Sequence, residues 1–200
     1  MKKEINAVGI ACPQPVILTK KEFDQMDKGI VEILADNKTC VENLEKFANS
    51  QGYTFKYEEK AEDRFLVTIE KTESSKSQEE NKEVVKSNND LVIAFSSNKM
   101  GKGDDALGEI LIKSFIYTVK ETSPLPKALV FFNSGVFLTT SEGQILDDLK
   151  DMASKGVKII SCGTCLDFYK RKEMLGVGEI SNMYEIYETI KNAGNNITIG

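Results

Sequence analysis

The chain has 200 residues, 40% of them hydrophobic and 28% charged, with a formal net charge of −5 and no histidine. That length allows one large domain or two small ones, and the balance is that of a chain that buries a core. No basic stripe points to nucleic acid, and no window approaches the roughly 20 apolar residues of a membrane span. Without histidine, Ser-His-Asp and Cys-His catalysis and histidine metal ligation are excluded, so sulfur is the natural carrier of any chemistry near neutral pH. The opening "MKKEINAVGIACPQP" has no apolar run long enough for a signal peptide. The expectation is therefore a cytoplasmic protein whose four cysteines are catalytic or metal-binding rather than stapled.

In chain order, a first strand leads into "VGIACPQPVI". Prolines are harmless in the first turn of a helix, where the N–H groups have no partner. The spacing therefore predicts Cys12 at a helix N-cap, Pro13 at the first helical position and Pro15 two further on. This helix runs to about Asp27, with Val16, Phe23 and Met26 on one face, and ends by Gly29. "IVEILAD" follows as a strand. "TCVE" reads as a capping box, with Thr39 as N-cap and Glu42 at the third helical position; its helix groups Val41, Leu44 and Ala48 and stops at Gly52. "YTFKYEE" and "RFLVTIEK" alternate as an antiparallel pair. Residues 1–71 thus form a two-layer βαβαββ sandwich with both helices on one face.

Residues 72–89 are polar and charged and read as a linker. Residues 90–200 alternate differently. "LVIAF", "KALVFF" and "VKIIS" are short apolar runs, as buried strands are. Helices are expected from about Asp105, with Leu107, Ile110, Leu111 and Ser114 on one face, over "QILDDLKDMASKG" closed by Gly156, and over "NMYEIYETIKNAG" capped by Asn182. "NITIG" is a last strand. The alternation implies an α/β domain with a parallel, doubly wound sheet whose working edge is the carboxyl ends of its strands.

Cys12 draws attention first. At an N-cap its sulfur would face the positive end of the helix, with the Gln14 N–H as donor and Lys20 and Lys21 two turns on adding positive potential. A thiolate or a hydropersulfide would be stabilised there; the alternative is a buried structural cysteine. "SCGTCL" places Cys162 and Cys165 directly after a strand. Gly163 would permit the tight turn that brings both sulfurs to one side, and Cys165, entering a helix, would hold the more stabilised thiolate with Cys162 as resolver. Such a pair can be a dithiol/disulfide or sulfur-accepting pair, or a buried structural one. A zinc site needs four ligands and the pair supplies two, so no metal or cofactor is expected. "GKGDDA" matches the dinucleotide fingerprint loosely but lacks the acidic residue that should close the second strand. Gly101, Lys102 and Gly103 are read instead as a loop lining a pocket over the strand ends. Cys40 is read as structural, because the capping box accounts for its surroundings.

These residues carry a resemblance. The stretch from Ile5 to Phe55 resembles the TusA (SirA-like) family, whose pattern is Gly-x-x-Cys-Pro-x-Pro followed by a strand ending in Ala-Asp; Gly9, Cys12, Pro13, Pro15 and Asp36 match it. Residues 90–200 look like the DsrE/DsrF-like family, although DsrE-type complexes usually place a single active cysteine in a loop where this chain has Cys-x-x-Cys. The two joined, with "SCGTCLDFY" and "GVGEISNMYEI", resemble a sulfurtransferase-like family linked to selenium metabolism. The resemblance implies a persulfide relay on Cys12, a cysteine desulfurase-like donor of sulfur or selenium, an acceptor protein, and a homo-oligomer through the C-terminal domain. A thiol-disulfide oxidoreductase using Cys162 and Cys165, and a non-catalytic binding or regulatory module, are the competing expectations.

Overall fold

The computed structural model describes residues 1–11, 13–72 and 90–200. The chain divides into two compact units, Met1–Val85 and Lys86–Gly200. Cys12, and the expected linker from residue 73 to residue 89, lie outside the described residues.

The first unit runs β1 (Lys2–Asn6), α1 (Gln14–Asp24), β2 (Gly29–Ala35), α2 (Lys38–Ser50), β3 (Thr54–Ala61) and β4 (Arg64–Lys71). Its sheet has the order β1-β2-β4-β3; β1 pairs parallel with β2, and the other pairs are antiparallel. The period-2 pattern puts Val31, Ile33 and Ala35 of β2 and Phe65, Val67 and Ile69 of β4 on one face, fully or almost fully buried. Phe23 and Met26 from around α1 and Val41, Leu44 and Ala48 of α2 close the same core. Both helices therefore lie on one side, the two-layer arrangement that the apolar spacing predicts.

Two helix starts differ from expectation by small register shifts. In α2 the cap is Asn37, not Thr39: Asn37 Oδ1 accepts the Cys40 N–H at 2.8 Å. Both residue types cap well, but β2 ends at Ala35, so the chain turns into the helix one residue after Asp36 and Asn37 is the first side chain in place. Cys40 thus falls at the third helical position and is buried. In α1 the carbonyl of Pro13 accepts the first intrahelical bond, from Ile17 N–H at 3.2 Å. Pro13 is accordingly the N-cap, Gln14 the first helical residue and Pro15 the second.

The second unit runs β5 (Leu91–Phe95), α3 (Asp105–Glu121), β6 (Ala128–Phe131), a 3-10 turn (Asn133–Val136), α4 (Phe137–Thr140), α5 (Gln144–Ser154), β7 (Lys158–Cys162), α6 (Gly163–Phe168), β8 (Glu179–Ser181), α7 (Met183–Lys191) and β9 (Asn195–Ile199). All five strands are parallel, in the order β8-β7-β6-β5-β9. Alternate residues of β6 point to opposite faces. Leu129 and Phe131 meet Ile112 and Ile116 of α3 and Leu149 and Met152 of α5, whereas Ala128 and Val130 lie with Ile186 of α7. Helices therefore cover both faces of the sheet. Asn182 caps α7 as expected, accepting from Glu185 N–H at 3.0 Å.

One helix face is corrected. The apolar positions Leu107, Ile110 and Leu111 of α3 are 53%, 61% and 40% exposed. Gly108, Ile112 and Ile116 face the core instead. The sequence of α3 carries two apolar stripes, and the side holding Gly108 is the one that lets the helix approach the β5–α3 loop, whose Met100 N–H donates to the Gly108 carbonyl at 3.0 Å. Among the described residues no helix is long and apolar enough to cross a membrane.

Candidate functional site

Chemistry-bearing residues gather at strand carboxyl ends in each unit. In the first, β1 continues its pairing one residue past its end, Ala7 N–H donating to the Leu34 carbonyl at 2.9 Å. The chain then turns sharply, with Ile10 N–H donating to the Ala7 carbonyl at 3.1 Å and Val8 N–H to Asn6 Oδ1 at 3.1 Å. Gly9 sits inside this turn at φ +75°, a conformation glycine adopts without steric cost. Its N–H donates to Asp36 Oδ2 at 2.6 Å, and the Asn37 amide donates to Asp36 Oδ1 at 2.8 Å. The Gly9 N–H above all, with the Asn37 amide behind it, holds the Asp36 carboxyl below the ordinary aspartate value. Gly9 and Asp36, 27 residues apart, thus form one brace at the base of the segment that leads to Cys12.

Two groups expected to favour a Cys12 thiolate have other partners. The Gln14 N–H donates to the Ala11 carbonyl at 3.1 Å, so it is engaged in the turn and is not reserved for a sulfur. Lys20 Nζ lies 2.6 Å from Asp24 Oδ2, which offsets its positive charge locally. Pro15 is buried, and its carbonyl accepts the buried Thr19 hydroxyl at 2.9 Å, fixing the first turn of α1. Cys12 itself lies outside the described residues.

In the second unit, Cys162 is the last residue of β7 and 2% exposed, while Cys165 in α6 is half-buried. Cys165 Sγ accepts the backbone N–H of Asn133 at 3.1 Å. Burial pushes the Cys165 thiol up, the adjoining Cys162 sulfur pushes it further, and the Asn133 N–H draws it partly back. The short α6 sits against the packed core, and this desolvation outweighs the nearby donor, opposite in direction to the lowering that a helix start gives. Gly163 stands where the neighbouring strand comes close. It opens α6, and an added Cβ there would lie 3.0 Å from Ile180 Cγ2 and 3.2 Å from the Ser181 carbonyl, so glycine lets β8 pack close.

Gly101, Lys102 and Gly103 are exposed in the β5–α3 loop. A cavity of about 320 Å³ in this unit is lined by Asn98, Glu109, Lys113, Phe137 and the 141–145 segment, and not by these three residues. Among the described residues no group of three or more Cys, Asp or Glu could hold a metal ion. Two residues that sequence reasoning passed over complete the second cluster. Asn133 has φ +50°, and its Oδ1 accepts the Tyr169 hydroxyl at 2.9 Å. The signal was present in "FFNSG", an asparagine between a strand and a Ser-Gly pair, because asparagine tolerates the left-handed region.

The family match lies in the first unit. Residues 3–71 match the family model described as Sulfurtransferase TusA. The candidate sulfur carrier protein MJ0990 of Methanocaldococcus jannaschii is 37% identical over 70 residues, covering 34% of this chain and 93% of its own. A candidate sulfur carrier protein of Archaeoglobus fulgidus is 33% identical over 73 residues, covering 34% of this chain and 95% of its own. Among solved structures, a SirA-like protein from Desulfitobacterium hafniense is 38% identical, with a TM-score of 0.33, and covers 34% of this chain and 95% of its own. Through residues 3–71, the chain belongs to the TusA sulfurtransferase family.

Proposed function

We propose that the chain is a sulfur carrier in which Cys12 holds a sulfane sulfur as a persulfide, and that Cys162 and Cys165 accept or resolve it. The observation that carries this reading is the TusA match over residues 3–71, which spans the Cys-Pro-x-Pro motif, together with the Gly9–Asp36 brace that fixes the segment before Cys12. In transfer, the Cys12 thiolate attacks the outer sulfur of a donor persulfide. One S–S bond forms, one breaks, and the donor leaves as a thiolate. The same reading takes residues 1–71 and 90–200 as two modules joined by residues 72–89, the second of DsrE type, and the whole as a YedF-like protein. Its partners are a cysteine desulfurase-like donor and an acceptor protein, with a homo-oligomer through the C-terminal module. Selenium in place of sulfur rests on the resemblance alone.

A thiol-disulfide oxidoreductase is the second reading, favoured by the adjacency of the Cys162 and Cys165 sulfurs. Intact mass after exposure to a persulfide donor, or to selenite with thiol, separates the two. A gain of one sulfur or selenium that is lost in Cys12→Ser supports the carrier. A loss of two hydrogens confined to the Cys162–Cys165 peptide, with Cys12 unmodified, supports the oxidoreductase.

A further inference from the structure

Three hydrogen bonds close a circuit across the carboxyl ends of β6 and β7. Asn133 N–H donates to Cys165 Sγ at 3.1 Å, Tyr169 N–H donates to the Cys165 carbonyl at 3.0 Å, and the Tyr169 hydroxyl donates to Asn133 Oδ1 at 2.9 Å. The donor is the second amide after β6, and Asn133 itself occupies the left-handed region, at φ +50°. Non-glycine residues enter that region at a cost, and an asparagine there is held by its surroundings. Here the holding group is the Tyr169 hydroxyl. The Tyr169 ring is itself fixed between Phe137, with centroids 4.9 Å apart, and Phe168, with centroids 5.1 Å apart. A backbone N–H is a permanent donor with no proton to lose, so it favours the anionic sulfur over the neutral thiol.

We propose that Asn133 and Tyr169 are positioning residues that make Cys165 the attacking sulfur of the Cys162–Cys165 pair, Tyr169 by locking Asn133 in the left-handed conformation and Asn133 by aiming its N–H at Sγ. The inference rests on the reading of this pair as a sulfur acceptor. In the step it serves, the Cys165 thiolate attacks the outer sulfur of an incoming persulfide. The new S–S bond forms as the donor's S–S bond breaks, and the donor thiolate departs with the electron pair and takes up a proton, so no outside oxidant or reductant enters. Cys162, 2% exposed, is shielded from such an attack and follows Cys165.

The test is the pH dependence of iodoacetamide alkylation in the full chain, read cysteine by cysteine from peptide masses, so that the other thiols serve as internal controls. Asn133→Val disfavours the left-handed conformation and should raise the Cys165 midpoint by about one pH unit, a roughly tenfold loss of thiolate below it, as losing a hydrogen bond to a charged group does. Asn133→Gly reaches the same φ freely and gives up only the side-chain tie; Tyr169→Phe gives up the same tie while keeping the ring. Both should shift the midpoint upward by less than Asn133→Val. Unchanged midpoints in Asn133→Val and Tyr169→Phe, or a shift in Asn133→Gly as large as in Asn133→Val, would overturn the proposal. If Asn133→Val fails to fold, Tyr169→Phe decides alone: an upward shift supports the proposal and an unchanged midpoint refutes it. The profile needs no sulfur donor, so a failure of the carrier reading shows separately, as a Cys12 that takes up no sulfur.

Discussion

Gly135 offers a sharp perturbation of the second cluster. It is buried in the turn after β6, and its N–H donates to the Phe132 carbonyl at 3.0 Å. A Cβ built on it would lie 2.2 Å from the Phe95 carbonyl oxygen and 2.9 Å from its carbon. The obstacle is backbone at the end of β5, paired with strands on both sides and already accepting the Phe132 N–H at 3.0 Å, so it cannot step aside as a flexible side chain would. In Gly135→Ala the turn must therefore move by about an ångström to restore an ordinary contact, and Asn133 moves with it. Overpacking of this kind costs about 1–3 kcal/mol. In a unit of this size that corresponds to a fall in melting temperature of roughly 4–12 °C. A shift of that size also takes the Asn133 N–H out of reach of Cys165 Sγ. Scanning calorimetry of the full chain measures the first effect, and the Cys165 alkylation profile the second, with its midpoint expected to rise. A Gly135→Ala protein that melts like wild type and keeps its Cys165 midpoint would refute both the close approach and the geometric link.

Other expectations follow from the same contacts. Asp36 has a lowered folded pKa, so its brace to Gly9 is complete above the unfolded aspartate value and is lost as pH falls through the lower folded one; an NMR titration of the Gly9 amide should show a midpoint below the ordinary aspartate value, and Asp36→Ala should abolish that titration and slow sulfur loading of Cys12. Asn37→Ala should cost about 1 kcal/mol in urea unfolding through loss of the α2 cap, while Thr39→Ala changes little. On α3, Ile112→Ala should cost about 2–5 kcal/mol, whereas Ile110→Ala stays within about 0.5 kcal/mol; equal costs would mean that the buried face has been misassigned.

Much of the fold was legible because its periodicities are strong and local. The alternation of β2 and β4 and the runs in β5, β6 and β7 follow directly from whether a sheet is covered on one face or two. The Asn182 cap was readable because one candidate stood in the right place. Where two signals competed, local reasoning chose the wrong one. "DNKTCVE" offers Asn37 and Thr39 as caps, and the choice depends on where β2 ends. In α3 two apolar stripes compete, and the outcome depends on a glycine's approach to a loop nearby. The segment "NSGVFLTT" was not assigned to a helix at all. Its Thr139 and Thr140 are poor helix formers held by tertiary contacts: both hydroxyls donate to the Val136 carbonyl, and the Thr139 hydroxyl also meets the buried Ser161 hydroxyl at 2.9 Å. The three-residue β8 is too short to show a period.

The candidate sites divide along the same line. A motif names residues that must be near each other in sequence, and so Cys12, Pro13 and Pro15 could be singled out together. The bond between Gly9 and Asp36 joins positions that only the parallel pairing of β1 and β2 brings side by side; the motif lists both residues but gives no reason for either. The pKa of Cys165 shows the limit most clearly. Its place after a strand and inside a helix argues for a lowered value, yet desolvation by the packed core around Leu166 wins, and the one donor that opposes it comes from Asn133 on a different strand end. In the proposed transfer this backbone N–H is the group that favours the anionic sulfur, and it belongs to an asparagine in the left-handed region whose side chain is tied to the Tyr169 hydroxyl, a pairing 36 residues apart that no local pattern gives.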